Sequence, residues 1–399
     1  MEKRVIIVGG GYGGVRVMQR LSSIEGLEIV LIDQNPYHYL QTEAYALIAS
    51  TVTITDVTVD LVALCKRYKN AVYKKARITA IDLPGKCVKS AEESLPYDYL
   101  VIAAGSCTNF PSSIPGLESY SHGVKTLHRA FEFKQQFECQ LYESMQSEED
   151  RLCRAFNVVI GGAGLSGVEI AAEMGHYAKK FVQDNRMMCE GIQICLIASR
   201  DKVLEGTNPY IQEKARKRLE ALGVRVFYNT RILEVREDEV LLNNGGSIKF
   251  DFMIFAGGTK GSPLARAVRC QLNAKDQIIV GPTLQVSGHK NVYAVGDIAA
   301  LEDAAGKIIP ATANAAEQSA EVVAKNIKAQ LKGERPQHAF IGIQGMIVAL
   351  GGHHAAVILF NTFKVSGFLG YLLKKAIIWR YKYLLDRRAL KAYKAMHKG

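Results

Sequence analysis

"RVIIVGGGYGG", residues 4–14, runs four buried-type residues straight into a glycine turn. Arg4–Val8 reads as a parallel strand, because an unbroken β-branched run suits a strand covered on both faces. "GGGYGG" then opens a helix expected to run to about Ile24, and "LEIVLID" (27–33) is the next strand. In the spacing Gly9-x-Gly11-x-x-Gly14, the first glycine makes the tight turn. The second lets a pyrophosphate approach the backbone, and the third lets helix and strand pack closely. The phosphate charge then lies at a helix N-terminus. Asp33 closes the second strand, 24 residues after Gly9, where a carboxylate can accept both hydroxyls of a ribose.

The pattern recurs about 150 residues later in "FNVVIGGAGLSGVEIAAEMGHYA" (156–178), with Gly162, Gly164 and Gly167 followed by Glu169. Its second strand, "QICLIAS" (193–199), ends without an acid. Ala198-Ser199 is followed by Arg200, a combination that admits a ribose 2′-phosphate; the plainer reading is a solvent-exposed Arg200 that selects nothing. Two such units call for two dinucleotides, one tightly held FAD and one exchanging nicotinamide. "YDYLVIAAGS" (97–106) and "FDFMIFAGG" (250–258) resemble each other, each an apolar strand ending in glycine. In "NVYAVGDIAAL" (291–301), Gly296-Asp297 would set a carboxylate on the ribityl chain of FAD. The helix of "PATANAAEQSAEVVAKN" (310–326) would aim its N-terminal dipole at the pyrimidine edge of the flavin, where negative charge grows on reduction.

A chain of 399 residues is too long for one core and predicts two or three domains. None of the eight cysteines stands in a C-x-x-C pair, and Cys189 and Cys195 have five residues between them, so reduced thiols are expected and no metal site. "MEKRVIIVGGG" leaves no room for a signal peptide, which predicts a cytoplasmic protein. The net charge of +11 is concentrated. The last 39 residues hold ten Lys and Arg against Asp386 alone, leaving only +2 for the rest. That distribution argues against a general polyanion binder, and no base-reading module is present. "GFLGYLLKKAIIWRYKYLL" (367–385) puts Leu369, Leu372, Leu373, Ala376, Trp379, Tyr383 and Leu384 broadly on one helical face. Lys374, Lys375 and Lys382 fall on another, the signature of a helix lying in an anionic lipid headgroup layer. Residues 339–360 lack Lys, Arg, Asp and Glu. Their four glycines and two histidines predict two strands around "GGHH" rather than a membrane span.

With these motifs the chain resembles the type II NADH:quinone oxidoreductases, within the flavoproteins that carry two dinucleotide-binding domains. The resemblance covers nearly the whole chain and includes "GGGYGG", "NPYHYLQTEAYALIAS", "GGAGLSGVEIAAEM", "FAGGTKG", "YAVGDIAA" and "ATANAAEQ". It implies an α/β glutathione-reductase-like fold of two Rossmann-like domains, followed by C-terminal strands and a membrane-attaching helix. The implied layout is an FAD domain of residues 1–115 and 270–330, an NAD(P)H domain of 116–269 and a C-terminal domain of 331–399. FAD would meet Gly9, Gly10, Gly11, Tyr12, Gly13, Gly14, Asp33, Gln34, Thr42, Ala104, Gly105, Gly296, Asp297 and Ala313. NADH, or NADPH, would meet Gly162, Gly164, Leu165, Ser166, Gly167, Glu169, Ser199, Arg200, Gly257 and Gly258. The family's Ala-Gln-x-Ala-x-Gln segment lines its quinone site. Here it reads Ala313-Asn314-Ala315-Ala316-Glu317-Gln318, which keeps Gln318 and shortens the first amide by one methylene. Asn314, Gln318 and Lys375 are the expected quinone contacts, with Glu169 beside nicotinamide and flavin as the expected proton-handling acid. The implied activity passes hydride from NAD(P)H to FAD and two electrons to a membrane quinone without pumping protons, from the cytoplasmic face, and is compatible with a homodimer. Two other readings keep the fold. A sulfide:quinone oxidoreductase needs a cysteine from the C-terminal third, and none follows Cys270. A non-catalytic NAD(P)H-sensing flavoprotein would share the turns without turnover.

Overall fold

The computed structural model describes residues 2–146, 156–184, 191–303, 306–342, 345–360 and 362–396. Cys153 and Cys189 lie outside the described residues. Strands β1 (Lys3–Val8), β2 (Leu27–Asp33), β3 (Ala71–Lys75) and β4 (Tyr99–Ile102) belong to one sheet. Strands β5 (Phe156–Gly161), β6 (Ile192–Ile197), β7 (Arg225–Phe227) and β8 (Phe252–Phe255) form a second. The chain then returns to the first sheet with β9 (Val292–Ala294), so the strand orders are β9-β4-β1-β2-β3 and β7-β6-β5-β8. Every pairing in both sheets is parallel, with Val5 opposite Ile29 on one side and Tyr99 on the other. Val5, Ile6 and Ile7 are fully buried, as a strand covered by helices on both faces requires.

The helices α1 (Tyr12–Leu21) and α2 (Leu165–Asp184) start from matching turns. Gly9 has φ +112° and Gly162 has φ +108°, a conformation that disfavours a side chain. A Cβ on Gly14 would lie 1.8 Å from the carbonyl oxygen of Gly9, and a Cβ on Gly167 would lie 1.8 Å from that of Gly162. The helix leaves the strand so tightly in both units that only hydrogen fits. The second unit also buries an aromatic cluster, in which Phe133 and Phe137 of the helix Leu127–Gln146 pack on Phe252, with ring centroids 5.5 and 5.9 Å away.

Helix α3 (Ala313–Leu331) is capped by Thr312, whose side chain accepts from the Ala315 N–H at 3.2 Å. Its alanines allow close docking on glycine: a Cβ on Gly296 would meet that of Ala316 at 3.1 Å, and one on Gly13 would stand 3.6 Å from the Ala316 carbonyl oxygen. Arg16 of α1 ion-pairs with Glu317 and lies 3.6 Å from Glu321, tying the two helices together.

The chain ends in an antiparallel sheet, β10 (Gly345–Ala349), β11 (Ala355–Leu359) and β12 (Phe363–Gly367), and the helix α4 (Phe368–Met396). The "GGHH" stretch is the β10–β11 turn, as expected. No helix among the described residues is long and apolar enough to cross a membrane. One side of α4 is docked through Tyr381, Leu385 and Ala389. The other exposes Leu369, Leu372, Trp379, Tyr383 and Leu390, and Trp379 stacks on Tyr383 at 5.0 Å. The expected basic face needs correction: Lys374 is buried and Lys382 is half-buried and donates to the Asp56 carbonyl, so of the three only Lys375 is exposed. Lys374 lies seven residues before Tyr381, two helical turns along the same docked side.

Candidate active site

Backbone donors orient the acid of the first unit, and side chains orient Asp297. Asp33 accepts the Gly10 N–H at 2.7 Å and the Asn35 N–H at 2.8 Å, while burial pushes its carboxyl above the usual carboxylate range. Asp297 accepts the Ser106 hydroxyl at 2.7 Å and lies 3.4 Å from the Lys125 ammonium. Lys125 escaped the sequence reading because it stands 172 residues from its partner outside any motif. Tyr12 shares a hydrogen bond with Thr42 at 2.9 Å and packs edge-on against His38 at 4.7 Å. His38 is in turn hydrogen-bonded to Tyr381 of α4 at 3.0 Å; burial lowers it to about 3 and keeps the ring neutral. Gly105 adopts φ +68°, and its carbonyl accepts the Ser262 N–H at 3.1 Å. Gln34 is exposed at the end of β2, and Ala104 and Ala313 are half-buried.

In the second unit, Gly164 and Ser166 are exposed and Leu165 is half-buried at the mouth of the turn. Gly257 abuts the turn so closely that a Cβ on Gly162 would lie 2.7 Å from its Cα, and Gly258 has φ +149°. Ser199 and Arg200 are exposed past the end of β6, with Arg200 held at 3.2 Å from Glu205.

The amides of α3 are unequal in a way the sequence did not indicate. Gln318 accepts the Gly342 N–H at 3.1 Å, and its Nε2 donates to the Gly342 carbonyl at 2.8 Å and to Asn314 Oδ1. Both of its N–H groups are thereby used. Asn314 is exposed, and its Nδ2 donors have no partner among the described residues. Ala349, at the end of β10, donates its N–H to Glu169 Oε1 at 3.0 Å.

Glu169 belongs to a cluster only partly visible from the motifs. Glu43, buried, sits 3.0 Å from the Lys374 ammonium and accepts the Tyr45 hydroxyl at 3.1 Å. Glu173, also buried, accepts the Gly352 N–H at 3.2 Å and a hydrogen bond from Thr51. Burial pushes Glu169 up to about 8 and raises Glu173, each partly offset by Lys374 and backbone N–H donors. One ammonium cannot balance the buried Glu43 and Glu173 together with the half-buried Glu169, and excess negative charge away from water favours the protonated form. That balance favours a proton on Glu169. Lys375 is exposed one residue further on, over the Tyr371 ring at 5.7 Å.

The fit to dinucleotides is structural: two cradles that any Cβ would fill, each at a helix N-terminus, and in the first an acid aimed by backbone N–H groups. Residues 3–320 match the pyridine nucleotide-disulphide oxidoreductase family. The chain belongs to that family and is an oxidoreductase. Within it, the chain is 30% identical to the demethylphylloquinone reductase NdbB of Synechocystis sp., over 95% of this chain and 92% of the relative. It is 27% identical to the type II NADH:quinone oxidoreductase of Haemophilus influenzae, over 90% and 88%. Among solved structures, NDH2 of Plasmodium falciparum in complex with NADH has the same fold, with TM-score 0.85, 18% identity and coverage of 99% and 97%.

Proposed function

We propose that the protein oxidises NADH or NADPH and passes two electrons through FAD to a quinone at a membrane surface. FAD, when bound, supplies the centre that accepts a hydride and releases electrons. The Gly9–Gly14 turn would hold its pyrophosphate, Asp33 its ribose and Asp297 its ribityl hydroxyls. Residues 1–115 with 270–330 would be the flavin domain, 116–269 the nicotinamide domain and 331–399 the C-terminal domain. Gly162–Gly167 would take the nicotinamide dinucleotide, and Ser199 with Arg200 would accept a 2′-phosphate where an acid would repel it. Asn314 Nδ2 would donate to a quinone carbonyl, with Gln318 as the positioning residue that fixes Asn314 Oδ1 and Gly342. The roles are therefore unequal, although the family pattern keeps Gln318 and shortens the amide at Asn314. The single observation that carries the reading is the repetition of one cradle, with Gly14 against Gly9 and Gly167 against Gly162.

The exposed stripe of α4 would lie in the interface of an anionic bilayer, on its cytoplasmic side. Trp379 and Tyr383 would sit at headgroup depth, and each nearby cation would add about 1 kcal/mol. Flavin-loaded protein should oxidise NADH or NADPH with a soluble quinone, and inability to use either donor would refute the reading. The ratio of kcat/KM for the two donors, compared with Arg200→Glu, reads the 2′-phosphate assignment: the substitution should lower it for NADPH and spare it for NADH.

A further inference from the structure

A cavity of about 620 Å³ opens between the segment Glu43–Val52, α2, the β10–β11 turn and α4. Its rim carries three histidines, half-buried His176 and exposed His353 and His354. Its inner wall carries the buried Glu43, Glu173 and Lys374. Nothing in the binding of either dinucleotide uses the histidines or Glu173. We propose that His176, His353, His354 and Glu173 form a proton inlet, which carries protons from solvent to the Glu43–Lys374–Glu169 cluster.

The inference rests on the quinone reductase reading, whose stoichiometry creates the need. NADH, quinone and one proton give NAD⁺ and quinol. The hydride brings two electrons and one hydrogen nucleus, and the quinol needs two, so each turnover draws one proton from water. The groups lie in sequence along the wall. The His176 ring covers Gly352, where a Cβ would stand 2.7 Å from Nε2 and Cε1. The N–H of Gly352 donates to Glu173 Oε2 at 3.2 Å. Glu173 and Glu169 are one turn apart on the same side of α2, and Lys374 acts on both. Glu43 completes the path 3.0 Å from Lys374 and next to Thr42, which the Tyr12 hydroxyl ties to the flavin turn.

The charged neighbours suit proton transfer. Arg218, on the helix Pro209–Ala221, donates to the carbonyls of Leu350 and Gly351 at 3.0 and 3.2 Å. Burial and then Arg218 hold His176 and His354 below their usual value, with His353 and, at His176, Lys180 adding to the effect. Those rings are neutral at pH 7 and free to accept a proton. Burial raises Glu173, so it can hold one. From the remaining elements, Tyr45, Tyr371, Lys375 and Asp184 face the cavity.

The test compares acceptors. Quinone reduction takes up a proton, whereas two ferricyanide ions accept electrons only and a proton is released. Glu173→Gln and the double variant His353→Gln/His354→Gln should slow turnover with a soluble quinone by about a hundredfold or more, the lower reach of general acid–base effects. Ferricyanide turnover should be unchanged, and added imidazole or formate should restore quinone turnover. Independently of activity, infrared pH titration of the purified protein should show protonated-carboxyl absorption that Glu173→Gln diminishes, leaving that of Glu169. Equal loss with both acceptors, no loss with quinone, absence of rescue or unchanged absorption overturns the inlet. An unmutated holoenzyme that fails to reduce quinone overturns instead the reading beneath it.

Discussion

Replacing Lys374 with methionine should destabilise the protein by an amount that depends steeply on pH. The side chain is 10% exposed and that of its partner Glu43 is 5% exposed, at an N–O separation of 3.0 Å. With an effective dielectric of about 20, such a pair interacts with about 5–6 kcal/mol, and removing one member of a buried pair typically costs about 3–5 kcal/mol. The stranded carboxyl has an escape: it can take a proton. From an ordinary value near 4.3, and at about 1.36 kcal/mol per pH unit, that costs about 5 kcal/mol at pH 8 but only about 1.6 kcal/mol at pH 5.5. Protonation therefore caps the loss. In sign, a carboxyl left in the interior without its cation favours its protonated form in the folded state, so the penalty is small at low pH and grows as pH rises. Urea unfolding of the flavin-loaded protein at pH 5.5 and pH 8 measures it. Trp379, the sole tryptophan, reports on α4 directly. The expected loss is about 4–5 kcal/mol at pH 8 and about 1–2 kcal/mol at pH 5.5. Adding Glu43→Gln should recover much of the loss at pH 8. Equal losses at the two pH values, or a double variant that is simply additive, would refute the assignment of Lys374 as the counter-charge of the cluster.

The two cradles can be separated by matched substitutions. Gly14→Ala should cost bound flavin, seen in the visible spectrum, whereas Gly167→Ala should retain flavin and raise KM for the nicotinamide donor by about tenfold or more, a loss of about 1.4 kcal/mol in binding; the reverse pattern would contradict the assignment of the turns. Asn314→Ala should raise KM for quinone, and leave the rate of flavin reduction by NADH in stopped flow unchanged. Gln318→Ala should do so less directly, by releasing Gly342, and Gln318→Glu should not restore it because a carboxylate repels the Gly342 carbonyl.

Much of the fold was legible because its signals are local. The turns at Gly9 and Gly162 depend on residues within five positions of each other, where a carbonyl leaves room only for hydrogen. A glycine pattern records that steric fact without reference to the rest of the chain. The β10–β11 hairpin was legible for the same reason. The interior charge cluster was not. Glu43 and Lys374 are 331 residues apart, and in the helical pattern of the tail Lys374 looks like its neighbour Lys375. Only the docking of Tyr381 and Leu385 shows which side of α4 faces inward. Likewise, the motif reveals two amides on α3, but not that Gly342 saturates one of them. The alanines around them serve the packing of helix on glycine, with Ala316 against Gly296 and Gly13.

One helix links the two halves of the proposed activity. The docked side of α4 reaches residues of the N-terminal unit at separate points: Lys374 at Glu43, Tyr381 at His38, and Leu385, whose carbonyl lies 3.5 Å from Gln19 of α1. Its other side presents Leu369, Trp379 and Tyr383 to the surroundings. A lipid-binding tail joined by a flexible linker would leave the active site indifferent to the membrane. Here the same turns that expose the apolar stripe also seat the only buried lysine among the described residues beside the buried Glu43 and close to Glu173 and the half-buried Glu169. Docking α4 is therefore a condition for the protonation state of the cluster. Undocking would leave Glu43 without its cation and carry Tyr381 away from the Tyr12 turn. The apolar stripe and the carboxylate cluster are consequently two faces of one constraint, and substitutions on the docked side should disturb chemistry even where they touch no substrate.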